Sequence, residues 1–190
     1  MKVLLINGSP NQKGCTNRAL TEVEKSLNEN GIKTEIFHIG RKAISGCTAC
    51  GSCRKTGKCI IEDDCVNTVI AKMEEADGVV IGSPVYYASA NGALIALLDR
   101  VFYSSGKKFA RKLGASVASA RRAGTTVTLD EINKYFMISQ MPVVSSSYWN
   151  MVFGNTVEQV EQDEEGLRIM RDLGKNMAWL LKCTEGKRNL

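Results

Sequence analysis

Residues 2–17 read KVLLINGSPNQKGCTN, a short apolar run followed by a loop of small and polar residues. The apolar positions 3–6 are continuous rather than alternating, which is typical of a strand buried on both faces of a parallel sheet. Leu20, Val23 and Leu27 then recur at helical spacing. This stretch therefore predicts a strand, a loop and a helix, which is the repeating unit of an alternating α/β fold.

The same alternation continues along the chain. Four further strands are expected, at 32–39, 78–82, 113–120 and 141–144. Helical patterns separate them, and a long amphipathic helix is expected in the tail from Val157. Such alternation implies right-handed crossovers and a parallel sheet covered on both faces. Two long stretches, 40–63 and 145–156, show no helical pattern, and long loops of this kind are usually functional.

The composition is that of a globular protein and excludes several classes of function. The chain has 190 residues, of which 44% are hydrophobic and 24% charged, and its net charge is +5. We expect a single domain, 1–190. No apolar run is long enough for a membrane segment or a signal peptide, so a cytoplasmic protein with reduced cysteines is expected. No nucleic-acid-binding signature is present, and the basic residues indicate at most a surface that attracts an anionic nucleotide.

The loop after the first strand has the features of a phosphate site. Ligands of a doubly wound sheet lie at the carboxyl ends of its strands. Gly8 and Gly14 permit close backbone approach, and Ser9, Thr16 and Asn17 offer side-chain donors. The helix that begins near Thr16 directs free N–H groups into the loop. The spacing matches neither a P-loop nor a dinucleotide fingerprint. The alternative is an ordinary strand–helix turn rich in small polar residues.

Four of the seven cysteines lie in GCTACGSCRKTGKC, residues 46–59, with the spacing C-x2-C-x2-C-x5-C. They are Cys47, Cys50, Cys53 and Cys59. Three thiolates on one short loop suit a compact iron–sulfur cluster, whereas structural zinc usually takes two C-x-x-C pairs far apart. A [4Fe–4S] cluster, four free thiols, and zinc or a redox disulfide remain open at this point.

Five stretches occur in order along the chain: GSPNQKGCTNRAL, GCTACGSCRKTGKCIIEDD, ADGVVIGSPVYYASANGALIALLDR, SSSYWNMVFG and DEEGLRIMRDLGKNMAWLLK. Together they resemble the flavodoxin-like NAD(P)H-dependent FMN reductase family. Within that family, the cysteine spacing resembles that of the iron–sulfur flavoproteins. The resemblance implies a doubly wound α/β fold with a five-stranded parallel sheet of order 2-1-3-4-5 and helices on both faces. The cysteines then lie in an insertion at about 44–63, which is called the cysteine-rich segment below.

The resemblance also implies bound FMN and the residues that hold it. Those near the phosphate would be Ser9, Asn11, Cys15, Thr16 and Asn17. Those bordering the isoalloxazine would be Pro84, Val85, Tyr86 and Tyr87 on one side and Ser119, Arg121 and Gly124 on the other. Pro84 stiffens the loop SPVYYAS at residues 83–89, and Tyr86 and Tyr87 offer flat apolar area for stacking. Arg121 could stabilise reduced flavin or bind a dinucleotide phosphate.

The function implied is hydride transfer through FMN from NADH or NADPH to a small-molecule electron acceptor, such as a quinone, a nitro or azo compound, or free flavin. No catalytic side chain is expected, because the flavin carries the chemistry. The alternative is an iron–sulfur flavoprotein that carries electrons between a [4Fe–4S] cluster and FMN, with a ferredoxin-like donor. A zinc–thiolate interaction module without flavin is a third possibility.

The family resemblance implies a homodimer or homotetramer as well. Tyr148 and Trp149, in the stretch 145–156, are expected either at such an interface or in the core.

Overall fold

The structure is a computed structural model that describes residues 1–187; the last three positions of the expected domain 1–190 lie outside that range. Six strands form the sheet in this described part of the chain. They are β1 (Lys2–Asn7), β2 (Lys33–His38), β3 (Gly78–Tyr86), β4 (Ser89–Ala90), β5 (Leu113–Ala120) and β6 (Met151–Phe153).

Helices connect and follow the strands. Those in residues 1–187 are α1 (Cys15–Glu29), α2 (Cys53–Thr56), α3 (Val66–Glu75), α4 (Gly92–Ser105), α5 (Thr125–Ile138), α6 (Val157–Glu161) and α7 (Glu164–Cys183), and a 3-10 turn at Gly106–Phe109 follows α4. Among the helices described here, none has both the length and the apolar character needed to cross a membrane.

The order of the strands across the sheet is β2-β1-β3-β5-β6, and neighbours are parallel. The two-residue β4 instead forms an antiparallel hairpin with β3. The predicted order 2-1-3-4-5 does not count the short β4. When β4 is left out, β5 and β6 are the predicted fourth and fifth strands, and the two orders are the same. The chain moves outward from β1 to β2 and then returns to place β3 on the other side of β1. Ligands of such sheets bind at the carboxyl ends of the strands beside this reversal.

The sheet is buried on both faces, as the continuous apolar run at 3–6 predicts. Val3 and Leu5 pack with residues of α1 and α7, whereas Leu4 and Ile6 pack with residues of α3 and α4. All four side chains are fully buried. Alternate residues of one strand therefore supply two separate apolar cores, one on each face of the sheet.

The fifth strand begins later than predicted, so the prediction of a strand at 141–144 is wrong. That stretch makes one isolated bridge, between Val143 and Gly114. β6 resumes the pairing further along β5, opposite Ala118–Ala120. Pro142 lacks an N–H and is unsuited to an extended ladder at this point. The carbonyl of Pro142 still accepts a hydrogen bond of 2.9 Å from the N–H of Gly114.

Between these two pairings the chain leaves the sheet. Tyr148 and Trp149 lie on this excursion, with ring centroids 4.5 Å apart. Their exposed fractions are 56% and 55%, so the expectation that they lie in the core is wrong. Their place at a subunit interface stays a prediction.

Candidate functional site

Asn7, the last residue of β1, organises the loop that follows the strand. Its side chain is fully buried, and its Oδ1 accepts a hydrogen bond of 3.0 Å from the N–H of Ser9. Its Nδ2 donates to the carbonyl of Gln12 at 3.2 Å and to Oδ1 of Asn17 at 3.3 Å. The N–H of Asn11 in turn donates to Oγ of Ser9 at 3.1 Å. One buried amide therefore holds the loop in a closed curve against the start of α1.

The first turn of α1 faces this curve. Gly14 precedes the helix, and no side chain caps the helix end. The N–H groups of Cys15, Thr16 and Asn17 are therefore available to an anion, which the positive end of the helix dipole also favours. Burial raises the pKa of the Cys15 thiol, so this side chain is neutral at pH 7 and adds no charge opposed to a phosphate.

Two side chains hold the loop from the side of β2. His38 Nε2 lies 2.8 Å from the carbonyl oxygen of Ser9. Arg41 donates to the carbonyl of Pro10 and to Oδ1 of Asn11, both at 2.9 Å. His38 therefore has a structural contact here, and Arg41 brings a positive charge to the rim of the loop.

The loop after β3 is a tight hairpin. Tyr87 and Ala88 form its turn with φ values of +51° and +59°, a conformation that usually calls for Asn and Gly. Glu131 stabilises the returning strand, since its Oε2 accepts hydrogen bonds from Oγ of Ser89 at 2.7 Å and from the N–H of Ala90 at 2.9 Å. The side chain of Tyr87 extends fully into solvent, and that of Tyr86 is 45% exposed. The hairpin thus presents two tyrosines at the carboxyl end of the central strand β3.

Asn91 connects this hairpin to the first loop. Its Nδ2 donates to the carbonyl of Gly8 at 2.8 Å, while its Oδ1 caps α4 by accepting from the N–H of Ala93 at 2.9 Å. Its own N–H donates to Oγ of Ser83 at 2.9 Å. Because Asn91 is buried, these bonds fix the two loops relative to each other.

The third loop follows β5 and meets both of the others. Oγ of Ser119 lies 2.7 Å from Oγ1 of Thr16, and Ser119 is paired opposite Pro84 in the sheet. Gly124 has a φ of +91° and lies so close to the hairpin that a β-carbon there would be 2.6 Å from Cα of Ala88. Arg121 is exposed beside this contact.

The predicted FMN residues are therefore gathered at one edge of the sheet. All of them belong to the three loops just described or to the ends of the helix and strands that border those loops. The exposed side chains among them are those of Asn11, Tyr86, Tyr87 and Arg121.

The four clustered cysteines line one pocket. Its empty space is about 350 Å³, including the part open to solvent, and Arg100 and Tyr103 of α4 contribute to its wall. Cys47 and Cys50 are exposed, Cys53 and Cys59 are half-buried, and none of the cysteines within residues 1–187 forms a disulfide. Hydrogen bonds from the backbone and side chain of Ser52 lower the pKa of the Cys50 thiol.

Cys65 lies apart from this group. It immediately precedes α3, and its Sγ is 3.9 Å from the carbonyl oxygen of Ile39. Burial raises the pKa of its thiol, and the neighbouring carboxylate of Asp64 raises it further. Cys65 is therefore a packed neutral thiol.

An ion pair lies behind the cysteine pocket. Arg100 and Asp64 bond through two pairs of atoms, and their side chains are 1% and 3% exposed. Nε of Arg100 also donates to Sγ of Cys59 at 3.3 Å. Burial alone would lower the pKa of Arg100, but Asp64 and Cys59 hold it above its usual value. The guanidinium is thus a permanent buried cation in contact with one of the four cysteines.

Asn7, Asn91 and Arg100 are the residues of these sites that sequence reasoning missed. Asn7 was detectable as a polar residue that ends an otherwise apolar strand, and Asn91 as a capping residue just before a helical stripe. Arg100 had one available signal, a charge within the apolar pattern of α4, but its acceptors lie 36 to 55 residues away in the chain.

Comparison with known proteins bears on both sites. The model of a protein family described as NADPH-dependent FMN reductase matches residues 1–156. An iron–sulfur flavoprotein of Methanocaldococcus jannaschii is 35% identical, over 96% of this chain and 98% of its own length.

Solved structures bear on the fold. A flavone reductase superimposes with a TM-score of 0.76 at 19% identity, covering 98% of this chain and 65% of that one. A flavodoxin from the domain Archaea superimposes with a TM-score of 0.65 at 13% identity, covering 96% and 99% of the two chains. At such low identity these two structures establish the fold alone, and they confirm the predicted flavodoxin-like architecture.

Proposed function

Since the chain belongs to the NADPH-dependent FMN reductase family and is an NAD(P)H-dependent FMN oxidoreductase, we propose that it carries a [4Fe–4S] cluster beside its FMN site and exchanges electrons with a ferredoxin-like protein. The observation that carries this proposal is the single pocket lined by Cys47, Cys50, Cys53 and Cys59. The name of the 35% identical relative, an iron–sulfur flavoprotein, supports it. FMN supplies hydride chemistry with NAD(P)H, and the cluster supplies one-electron chemistry.

The three loops at the edge of the sheet fit FMN. The uncapped first turn of α1 offers N–H groups to a phosphate, with Ser9, Thr16 and Asn17 around it. The hairpin and the loop at 119–124 offer apolar and aromatic area on either side of the space beyond the strands. We assign the isoalloxazine to that space, bordered by 84–87 and 119–124.

The donor set of the cysteine pocket fits a cluster better than a single ion. Cys47, Cys50 and Cys53 follow one another at intervals of three residues, and Cys59 completes the set. A cubane cluster binds each cysteine at a different iron, whereas structural zinc usually takes two C-x-x-C pairs far apart in the chain. The spacing of the four cysteines that line the pocket therefore favours the cluster over zinc.

The test is the visible spectrum of protein purified without oxygen, with iron and acid-labile sulfide assayed on the same sample. We expect flavin bands with about four irons and four sulfides per chain. Cys59→Ser should lose iron and sulfide while retaining FMN, and the matched control Cys183→Ser, at the exposed end of α7, should retain both. Wild-type protein that holds flavin but no iron would overturn the cluster, and protein that binds no FMN would overturn the flavin site.

A reductase without a cluster is the second candidate. The exposed tyrosines of the hairpin favour it, because a flat acceptor such as a quinone could stack there. It predicts rapid bleaching of the flavin by NADH or NADPH followed by reoxidation with quinones, nitro or azo compounds, or free flavin. Stopped-flow absorbance with each acceptor separates the two candidates, since an electron carrier should react slowly with these compounds.

We propose in addition that the protein forms a homodimer or homotetramer, with Tyr148 and Trp149 at the interface. Their exposure within one chain supports this proposal.

A further inference from the structure

Arg100 uses every donor of its side chain within the cysteine-rich segment and at Asp64, just beyond it. Nε donates to Sγ of Cys59 at 3.3 Å. One terminal nitrogen donates to the carbonyl of Ser45 at 3.2 Å and to Oδ2 of Asp64. The other donates to the carbonyl of Ile61 at 3.0 Å and to Oδ1 of Asp64 at 3.3 Å. A guanidinium has five N–H donors, and here each has its own acceptor.

This arginine differs from the other cations of the segment. Arg54, Lys55 and Lys58 are exposed, so water and salt screen their charge. Arg100 is 2% exposed, and a charge in such surroundings acts more strongly on its neighbours. Asp64 pairs with the two terminal nitrogens of the guanidinium, and the bond from Nε to Cys59 is its contact with a cysteine of the pocket.

We propose that Arg100 is a positioning residue that sets the reduction potential of the iron–sulfur cluster through its hydrogen bond to Cys59, an inference that rests on the cluster proposed above. Hydrogen bonds to the sulfurs and the local net charge are what tune such potentials. A donated bond withdraws electron density from the ligating sulfur and stabilises the reduced, more negative cluster. Arg100 therefore raises the potential, and Asp64 opposes it.

A purely structural role makes different predictions. Arg100 also ties the backbone at Ser45 and Ile61 to α4, so its loss could loosen the segment and release iron. Loosening alone gives no reason for changes at Arg100 and Asp64 to shift the potential in opposite directions. It also requires no electronic contact between an arginine nitrogen and the cluster.

The first experiment uses the wild-type holoprotein. Protein labelled with ¹⁵N-arginine and protein at natural abundance are reduced, and pulsed EPR of the cluster is compared. We expect the cluster to show coupling to an arginine nitrogen, and this coupling should disappear in Arg100→Lys. The control is Arg54→Gln, because the guanidinium of Arg54 bonds to Tyr103 and not to a cysteine. The coupling should persist in that variant. Iron-loaded protein without this coupling would overturn the inference and leave the cluster standing, whereas protein without iron would overturn both.

The second experiment is a redox titration of cluster and flavin in each variant. Arg100→Lys, which has no group equivalent to Nε, should shift the cluster to a more negative potential. Asp64→Asn should shift it to a more positive one. The control Lys58→Gln removes an exposed charge next to Cys59 and should shift it less than either, and the potential of FMN should stay the same throughout. Shifts of the same sign for Arg100→Lys and Asp64→Asn would overturn the proposal.

Discussion

The hydroxyl groups of Thr16 and Ser119, 103 positions apart in the chain, lie 2.7 Å apart with both residues buried. The bond joins the first turn of α1 to the carboxyl end of β5. Thr16 borders the loop proposed for the FMN phosphate, and Ser119 borders the loop proposed for its ring. The pair therefore holds the two halves of the proposed flavin site at a set separation.

This pair gives the first prediction. Thr16→Val leaves the Ser119 hydroxyl buried without its partner and should cost about 1–3 kcal/mol of unfolding free energy. The double variant Thr16→Val with Ser119→Ala should cost less than the sum of the two single changes, because no hydroxyl is then stranded. Urea unfolding of the four proteins measures this, and strictly additive penalties would contradict the bond.

The affinity of the same variants for FMN distinguishes the contribution of Thr16 to cofactor binding from that of Ser119. If Thr16 also donates to the phosphate, Thr16→Val should weaken FMN about tenfold or more, since a hydrogen bond to a charged group contributes about 1.5–3 kcal/mol. Ser119→Ala keeps Thr16 and should weaken FMN less. Flavin fluorescence quenching gives both affinities.

The second prediction concerns pH and a buried carboxylate. Glu22 of α1 bonds to Arg171 at 2.6 Å and to Arg18 at 2.8 Å. Burial alone would raise the pKa of Glu22, but the hydrogen bonds from Arg171 and Arg18 outweigh it and lower the pKa below 4.5. Glu22→Gln should cost about 1.5–3 kcal/mol at neutral pH, because two bonds to a charged group are weakened.

The cost should depend on pH with a definite sign. A lowered carboxylate pKa stabilises the folded state fully above the unfolded value of 4.5, and this stability is lost as the pH falls through the folded value. The difference between wild type and Glu22→Gln should therefore shrink in acid. Glu29→Gln, an exposed change in the same helix, should stay within about 0.5 kcal/mol at every pH. A difference that grew below pH 4.5 would contradict the assignment.

The third prediction tests the contact between the hairpin and the third loop. Gly124→Ala places a β-carbon 2.6 Å from Cα of Ala88 at a φ of +91°, so strain and overlap act together. We expect a loss of about 2 kcal/mol or more. Gly92→Ala is the matched control, since a β-carbon there meets nothing within 4 Å and lies in the first turn of α4. Equal denaturation midpoints for the two variants would show that the loops do not touch.

The fourth prediction separates the two roles of Asn91. Asn91→Ala removes the cap of α4, which should lower the unfolding free energy by about 1 kcal/mol. It also leaves the carbonyl of Gly8 without this hydrogen-bond donor, which should cost about 1–3 kcal/mol more. Asn91→Ser keeps a capping hydroxyl but is too short to reach Gly8, so it should lose only the second part. Chemical denaturation ranks the proteins. If the serine variant were as unstable as the alanine variant, the cap would contribute nothing.

Much of the fold follows from local pattern. The continuous apolar runs at 3–6 and 78–82 predict doubly buried strands, and Leu20, Val23 and Leu27 predict the buried face of α1, because burial and periodicity are properties of neighbouring residues. The strand predicted at 141–144 is wrong for the same reason. Met141 and Val144 are buried in the core, whereas Val143 is exposed. The choice between 141–144 and Met151–Phe153 depends on pairing with β5, which local pattern does not contain.

The sites divide in the same way. The sequence indicates Ser9, Thr16 and the four clustered cysteines as candidate site residues because their spacing is local, and their roles stay predictions. The bonds from Arg100 to Asp64 and from Asn91 to Gly8 span 36 and 83 positions in the chain. They are not predictable from local sequence, because only the tertiary structure brings these residues together. The residues that connect the loops are thus the ones that sequence pattern leaves out.

Helix α4 has a consequence for electron exchange within one chain. Asn91 at its start is bonded to the flavin loops, and Arg100 is bonded to the cysteine-rich segment, nine residues or about 13.5 Å further along the helix axis. If the cysteine-rich segment holds the proposed cluster, its spacing from the proposed FMN site is thus a property of one stiff helix rather than of a hinge. We expect a change of oxidation state to leave that spacing unaltered, so that the rate of electron exchange between the two proposed sites would be fixed by the fold.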